Sequence, residues 1–154
     1  MTAAALPTEQ DLEVIVDQIW SSYVDPEGAE PFLPGPAGDP MGYRAWVSID
    51  GSWSGQVVVR CSTGQASLLT NAFLAGSDEQ LTEERVVDVL GELANIVGGN
   101  IKSMLPSDCV LSQPRVAGPA ERGDQDPGAV RVCELSGTWL DEPLSISVWE
   151  RTAA

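Results

Sequence analysis

Histidine is absent from this 154-residue sequence. Its absence excludes the commonest general base, Ser–His and Cys–His nucleophile pairs, phosphohistidine relays and histidine-ligated metal sites. Cysteine is also scarce: Cys61, Cys109 and Cys133 lie far apart, and no Cys-x-x-Cys occurs. Three separated cysteines are most simply explained as reduced, buried thiols. Chemistry that depends on imidazole or on paired thiols is therefore not expected.

Basic residues are few. Eight lysines and arginines stand against 23 acidic residues, which gives a net charge of −15. Because such a surface repels nucleic acid and anionic lipid, we expect no nucleic acid and no membrane as partner. No stretch approaches the roughly 18 apolar residues of a membrane helix, and the N-terminal MTAAALPTEQ lacks the pattern of a signal peptide. The sequence therefore predicts a cytoplasmic protein.

Length and composition, with 43% hydrophobic residues, are typical of a soluble globular domain, so we predict one domain over residues 1–154. Hydrophobic periodicity predicts three helices: the first from residues 7–10 to 25–26, the second from 63 to 75, and the third from 82 to 105. Alternating runs predict strands at 43–49, 56–61, 110–116, 129–135 and 144–149, the first two forming a hairpin around Asp50-Gly51. This order predicts an α+β fold whose antiparallel sheet has helices on one face.

The segment 27–42, EGAEPFLPGPAGDPMG, is rich in proline and glycine. We predict that it has no regular structure and forms a flexible loop around 26–42, because loops of this length are usually functional or disordered. It resembles a phosphate-binding loop only superficially, since no Gly-Lys-Ser/Thr follows it.

The segment 88–105, DVLGELANIVGGNIKSML, belongs to a long amphipathic helix. Its apolar stripe is predicted to face the core and contains Val86, Leu90, Leu93, Val97, Ile101 and Met104. The opposite stripe is predicted to face solvent and contains Asp88, Glu92, Asn95, Gly99 and Lys102. Glu92 and Asn95 are therefore neighbours that point outward together. Most helices have a polar face, so this spacing alone does not establish a site.

Gly98 and Gly99 interrupt the same helix. A glycine inside a helix costs about 1 kcal/mol relative to alanine, so two together require a reason. One explanation is close packing of this helix against the first helix. The other is room for the backbone of a partner beside Asn95.

The pattern Asp88-x-x-x-Glu92-x-x-Asn95, continued by Gly99-Asn100, resembles the signature of the CheC/CheX/FliY chemotaxis phosphatases. The segment 111–116, LSQPRV, is similar to the proline-containing strand that follows this helix in CheX-like domains. The resemblance implies a CheX-like antiparallel sheet with two long helices packed on one face. Two features depart from the family: the short connection after Pro106, and the long loop before the first predicted strand.

The resemblance also implies a function. Family members hydrolyse the phospho-aspartate of a CheY-type receiver domain in two-component signalling. By this resemblance Asn95 orients the attacking water and Glu92 pairs with a receiver lysine. We expect Asp88, Gly99 and Lys102 to contact the partner, and Mg²⁺ to come from the receiver rather than from this chain. By the same analogy we expect a homodimer formed through sheet edges.

Two other interpretations stay open from the sequence. In the first, the chain is a non-catalytic, dimeric CheX-like module that serves as a binding or adaptor domain. In the second, it is an unrelated α+β structural domain. The five tryptophans, at positions 20, 46, 53, 139 and 149, are expected to pack in the core or at an interface.

Overall fold

The computed structural model of the protein describes residues 6–38, 40, 42–121 and 128–152. The predicted polar loop between the strands at 110–116 and 129–135 lies largely outside these residues. The elements, in chain order, are α1 (Glu9–Ile19), β1 (Leu33–Pro34), β2 (Gly42–Asp50), β3 (Gly55–Ser62), α2 (Thr63–Phe73), α3 (Glu83–Lys102), β4 (Val110–Leu111), β5 (Arg115–Ala117), β6 (Ala129–Trp139) and β7 (Glu142–Arg151).

Within the described residues, each of the three α-helices begins at a side-chain cap. Thr8 and Asp11 form a reciprocal capping box at the start of α1. The hydroxyl of Ser62 accepts from the backbone of Gln65 at the start of α2, and Thr82 accepts from Arg85 at the start of α3. The apolar stripe of α1 continues into one π-helical turn, Trp20–Val24. The predicted helix starts are thereby confirmed.

The described strands form a seven-stranded antiparallel sheet in the order β1-β6-β7-β3-β2-β4, with β5 also paired to β2. The predicted hairpin is confirmed: β2 and β3 pair from Gly42 opposite Ser62 to Ile49 opposite Gly55. Along β2, buried Ala45, Val47 and Ile49 alternate with partly exposed residues, so alternate residues of this strand face the helices. The α+β prediction is confirmed, with α1, α2 and α3 packed around the shared core.

The predicted strand 110–116 is wrong as a single strand, because it divides into β4 and β5. Pro114 has no N–H to donate, so the chain leaves the ladder between the two short strands. Ser112 compensates for part of the break: its N–H donates to the carbonyl of Ser48 (2.9 Å), and its hydroxyl accepts from the Ser48 N–H (2.9 Å). The interruption is thus fixed in place beside α3.

The prediction of a wholly irregular segment at 27–42 is also wrong. Leu33–Pro34 pair with Gly137 and Thr138 of β6. The Phe32 ring is buried and lies 5.5 Å from the Trp20 ring. The indole N–H of Trp139 donates to the carbonyl of Glu30 (2.7 Å). Aromatic contacts and one pairing thus attach this half of the loop to the rest of the fold; its predicted flexibility stays a prediction.

The core lies between the helices and the inward-pointing residues of the sheet. Leu12 of α1, Leu93 of α3 and Ile146 of β7 are almost completely buried within it. Met104 departs from the predicted stripe: α3 ends at Lys102, and the Met104 side chain is 38% exposed. Within the described residues, no helix combines the length and the apolar character needed to cross a bilayer.

Candidate functional site

The candidate site lies on α3, a helix of 20 residues whose two ends suit its dipole. Glu83 and Glu84 occupy the first turn and Lys102 the last, so negative charge lies at the positive end and positive charge at the negative end. The stripe of α3 that contains Val86, Leu90 and Val97 is buried in the core. Because the core fixes this stripe, the rotation of the helix and therefore the outward direction of its polar stripe are fixed as well.

Glu92 and Asn95 lie on the outward stripe, as predicted from their spacing. Glu92 is exposed and Asn95 is partly exposed. Neither side chain has a hydrogen bond or ion pair to any described residue. Asn100 differs: its amide donates to the carbonyl of Ile96 (2.9 Å) within the same helix. The carboxylate of Glu92 and the carboxamide of Asn95 are therefore available to an external group.

The two glycines after Asn95 have different surroundings. A methyl group added at Gly98 would overlap the Val47 side chain of β2 and lie 3.2 Å from Leu111. A methyl group added at Gly99 would have no neighbour within 4 Å. Gly98 therefore does allow close packing, but against the sheet rather than against the first helix. Gly99 leaves open space next to Asn95, which agrees with the second explanation.

Gly91 lies on the side of α3 that contacts β5, a contact that the sequence did not predict. A methyl group at Gly91 would lie 3.7 Å from both Pro114 and Val116. Gly91 and Gly98 are seven residues apart, about two turns of helix, so they lie on one side of α3. Gly91 is next to Pro114 and Val116, and Gly98 is next to Val47 of β2 and Leu111 of β4. At Gly98 the absence of a side chain lets the sheet lie close to α3, whereas at Gly91 an added methyl group would make ordinary van der Waals contact. The seven-residue spacing of glycines was the available signal.

The three predicted partner-contact residues lie on the same stripe. Asp88 is exposed, whereas Gly99 and Lys102 are partly exposed. They therefore line the surface that a partner would meet at Glu92 and Asn95. Whether they contact a partner stays a prediction.

The approach to this stripe is acidic. Glu83, Glu84 and Asp88 are exposed on α3 before Glu92. Arg85, the arginine of α3, is paired with Glu79 at 2.7 Å, so the charges of these two residues largely cancel. A partner that docks here gains electrostatically if its rim is basic.

The candidate site has the shape of an exposed helix face rather than of a cleft. The larger of the two cavities described, about 430 Å³, is lined by Tyr43, Arg44, Arg60 and Glu121 among others, and by no residue of α3. Small-molecule sites are usually concave, so a protruding helix is better suited to a macromolecular substrate that brings its own cleft. No group of three Asp, Glu or Cys side chains in the described ranges is placed to hold a metal ion.

Chemically, the pair offers one anion and one neutral amide. A carboxamide both donates and accepts hydrogen bonds, so Asn95 can orient a water molecule without adding negative charge. The Glu92 carboxylate can form a charge-assisted bond with a cationic side chain. The arrangement supplies positioning, and it supplies no strong base and no nucleophile.

Comparison with known proteins agrees with this geometry. The sequence matches the family described as chemotaxis phosphatase CheX over residues 43–130, which is more than half of the chain. The match includes all of α3 and the β4–β5 segment. Among curated proteins, none is a significant match.

Several solved structures have the same fold. CheX from Vibrio vulnificus superposes with a TM-score of 0.73 at 16% identity, over 96% of this chain and 98% of that one. A CheX–CheY–BeF3–Mg²⁺ complex from Borrelia burgdorferi gives 0.71 at 15% identity, over 96% and 100%. The FliM middle domain from H. pylori gives 0.59 at 7% identity, over 93% and 86%. At these identities the likeness establishes the fold alone, and it confirms the predicted CheC/CheX-like architecture.

Proposed function

Because the chain belongs to the chemotaxis phosphatase CheX family, we propose that it hydrolyses the aspartyl phosphate of a CheY-type receiver domain. One observation carries the proposal: Glu92 and Asn95 lie together on the outward stripe of α3, and neither has a hydrogen-bond partner among the described residues. The complex of a related fold with CheY, BeF3 and Mg²⁺ supports a receiver as the partner. The three free cysteines support a reducing, cytoplasmic location.

The proposed reaction requires little from the phosphatase itself. A water oxygen attacks phosphorus, the bond between phosphorus and the aspartyl oxygen breaks, and the carboxylate leaves with the electron pair. The products are the free receiver aspartate and inorganic phosphate. The two protons of the attacking water go to the phosphate and to solvent. Such a transfer depends mainly on positioning and on neutralising the phosphoryl oxygens. The absence of histidine from this chain is therefore no obstacle.

Asn95 is proposed to hold the attacking water in line with the breaking bond. Its carboxamide oxygen accepts from the water, while its N–H donors add no negative charge near the phosphoryl group. The open space at Gly99, one turn later, lets the receiver backbone come close to Asn95. The core residues beneath α3 keep the helix from rotating, so the amide enters the receiver in a fixed orientation.

Glu92 is proposed to pair with a receiver lysine and thereby anchor α3. Mg²⁺, which we expect the receiver to hold, supplies neutralisation of the phosphoryl charge. Asp88, Gly99 and Lys102 are proposed to complete the contact surface. Because the surroundings of Glu92 are acidic, the receiver must carry a basic rim, and association should weaken as salt screens it.

The test follows the decay of phosphorylated receivers from the same cell, with Mg²⁺, in the presence of wild-type protein or variants. We expect the wild type to accelerate decay and Asn95→Ala to reduce the acceleration about 100-fold, since misplacing a reacting group by one ångström has that order of effect. Glu92→Gln should raise the half-saturating protein concentration about tenfold through loss of a charged contact. Asn100→Ala is the matched control, because the Asn100 amide is bonded within the helix.

Binding to the beryllofluoride-loaded receiver distinguishes the phosphatase proposal from the adaptor interpretation. If the protein binds every loaded receiver it meets but accelerates no decay, the adaptor interpretation is correct and the phosphatase proposal is wrong. If Asn100→Ala reduces the rate as much as Asn95→Ala does, while both variants stay folded, the specific role of Asn95 is wrong.

A further inference from the structure

The second face of the sheet, directed away from the helices, has a charge opposite to that of the rest of the chain. Paired residues in neighbouring strands share a face, and Trp46 pairs with both Val58 and Arg115. Five of the eight basic residues point to this outer face in the same register: Arg44, Arg60, Arg115, Arg131 and Arg151. Among the described residues of these strands, Asp50 and Glu134 are the acidic ones on that face. Each is paired with one arginine: Asp50 with Arg151 at 3.7 Å, and Glu134 with Arg131 at 3.4 Å.

Two tryptophans lie among these arginines. The Arg44 guanidinium stacks over Trp46, 4.8 Å from the ring centroid, and exposed Arg115 is directly opposite Trp46. Exposed Arg131 is directly opposite Trp149. Both tryptophans are only partly buried, unlike Trp139, which packs in the core. All five tryptophans were expected to pack in the core or at an interface. Since Trp46 and Trp149 are not in the core, we expect them to lie at an interface.

The strand between the two tryptophans forms the floor of this surface. Val58 of β3 is 3% exposed, and its neighbour in β7, Ser147, is also 3% exposed. The Ser147 hydroxyl accepts from the Trp149 indole N–H (2.9 Å), which holds that ring in position. Rigid indoles with adjacent guanidinium groups are the side chains most enriched at binding hot spots.

The charge of this surface selects its occupant. A second copy docking through the same face would bring arginines against arginines. A long nucleic acid would meet the net charge of −15 that the chain carries overall. A short acidic polypeptide meets mainly the local arginines, which can bind carboxylates through pairs of hydrogen bonds. Its carboxylates can replace Glu134 on Arg131, because an ion pair this exposed contributes little stability. We propose that the outer face around Trp46, Trp149, Arg115 and Arg131 docks an acidic polypeptide segment of a partner protein.

The test uses the full chain and a short fluorescein-labelled peptide of glutamates around two central leucines. Its counterpart has glutamine in place of every glutamate. We expect the acidic peptide alone to bind, with an affinity that falls as salt rises and falls about tenfold or more in Arg115→Glu/Arg131→Glu. The control Arg85→Glu/Lys102→Glu makes the same change in net charge on the α3 side and should bind as the wild type does.

Four outcomes would overturn the proposal. The first is that the two peptides bind equally, or that neither binds. The second is that the α3-side control loses as much affinity for the acidic peptide as the outer-face variant does. The third is that a single-stranded oligothymidylate binds more tightly than the acidic peptide and that the outer-face variant abolishes this binding. The fourth is wild-type self-association, seen by sedimentation, that the outer-face variant dissolves. Phospho-receiver decay in the outer-face variant is measured in parallel. Since Arg115 and Arg131 are not part of the proposed phosphatase site, decay should be unaffected, so the two proposals can fail separately.

Discussion

Replacing the two adjacent glycines of α3 by alanine, one at a time, should move stability in opposite directions. At both positions the substitution gains about 1 kcal/mol of helix propensity. At Gly99 nothing opposes the gain, because the added methyl group has no neighbour within 4 Å. We therefore expect Gly99→Ala to be about 1 kcal/mol more stable than the wild type.

At Gly98 the added methyl group overlaps the Val47 side chain, which is fully buried and branched next to the backbone. Val47 cannot rotate away without disturbing the sheet, and overpacking of this kind costs about 1–3 kcal/mol. The net expectation for Gly98→Ala is a loss of about 1 kcal/mol. The two variants, which differ from each other only in the position of one methyl group, should thus lie about 2 kcal/mol apart.

Urea unfolding followed by tryptophan fluorescence measures the difference. With a slope of about 2 kcal/mol per molar urea, the two midpoints should be separated by about 1 M. Midpoints that shift together in the same direction would refute the assignment of Gly98 to packing and Gly99 to open space. The Gly99→Ala variant also provides a functional readout: despite its higher stability, it should dephosphorylate the receiver more slowly, because its methyl group occupies space beside Asn95.

Three further predictions concern other parts of the fold. Phe32→Ala should lower the free energy of unfolding in urea by about 3 kcal/mol, because it empties a buried site against Trp20; an unchanged value would mean that this part of the loop does not pack in solution. Thr82→Ala should cost about 1 kcal/mol in the same assay through loss of the α3 cap, whereas Thr82→Ser should cost little. Burial raises the pKa of the Cys61 thiol to about 12, so the unfolded chain loses this proton first and stability should fall as the pH rises from about 9 towards 12. Cys61→Ala should show a shallower fall in urea midpoints between neutral and alkaline pH, and an identical fall would contradict the assignment.

The sequence predicted the parts of the fold that local patterns determine. Thr82 followed by two glutamates marked the start of α3, and the four-then-three spacing marked its outward stripe, so the placement of Glu92 and Asn95 followed directly. The β2–β3 hairpin was predictable from two alternating runs around Asp50-Gly51. Each of these features depends on residues that are close together in the chain.

The parts that it did not predict depend on distant contacts or on rare backbone conformations. The β6–β7 hairpin turns at Leu140 and Asp141, both with positive φ (51° and 69°). Asp141 suits such a turn, but Leu140 is not a usual turn residue, and no Asn-Gly or Asp-Gly pair marks the position. The strands were therefore predicted to end too early, at 135, and to restart too late, at 144. The pairing of Leu33–Pro34 with β6 joins residues about a hundred positions apart, which no local pattern reports. Likewise, the close approach of Gly98 to Val47 exists only once α3 lies on the sheet.

The two faces of the molecule carry opposite charge, and this bears on how one small protein could serve two partners. The outward stripe of α3 is acidic, and Arg85 is paired with Glu79. The far side of the sheet carries five of the eight basic residues against two acidic ones, Asp50 and Glu134, which pair with Arg151 and Arg131. A basic-rimmed receiver is attracted to the first face and repelled by the second, and an acidic segment has the reverse preference. Since the sheet and core separate the two faces, both partners could bind at once without competing for surface. The receiver therefore does not need to leave the proposed phosphatase site before an acidic segment docks on the sheet.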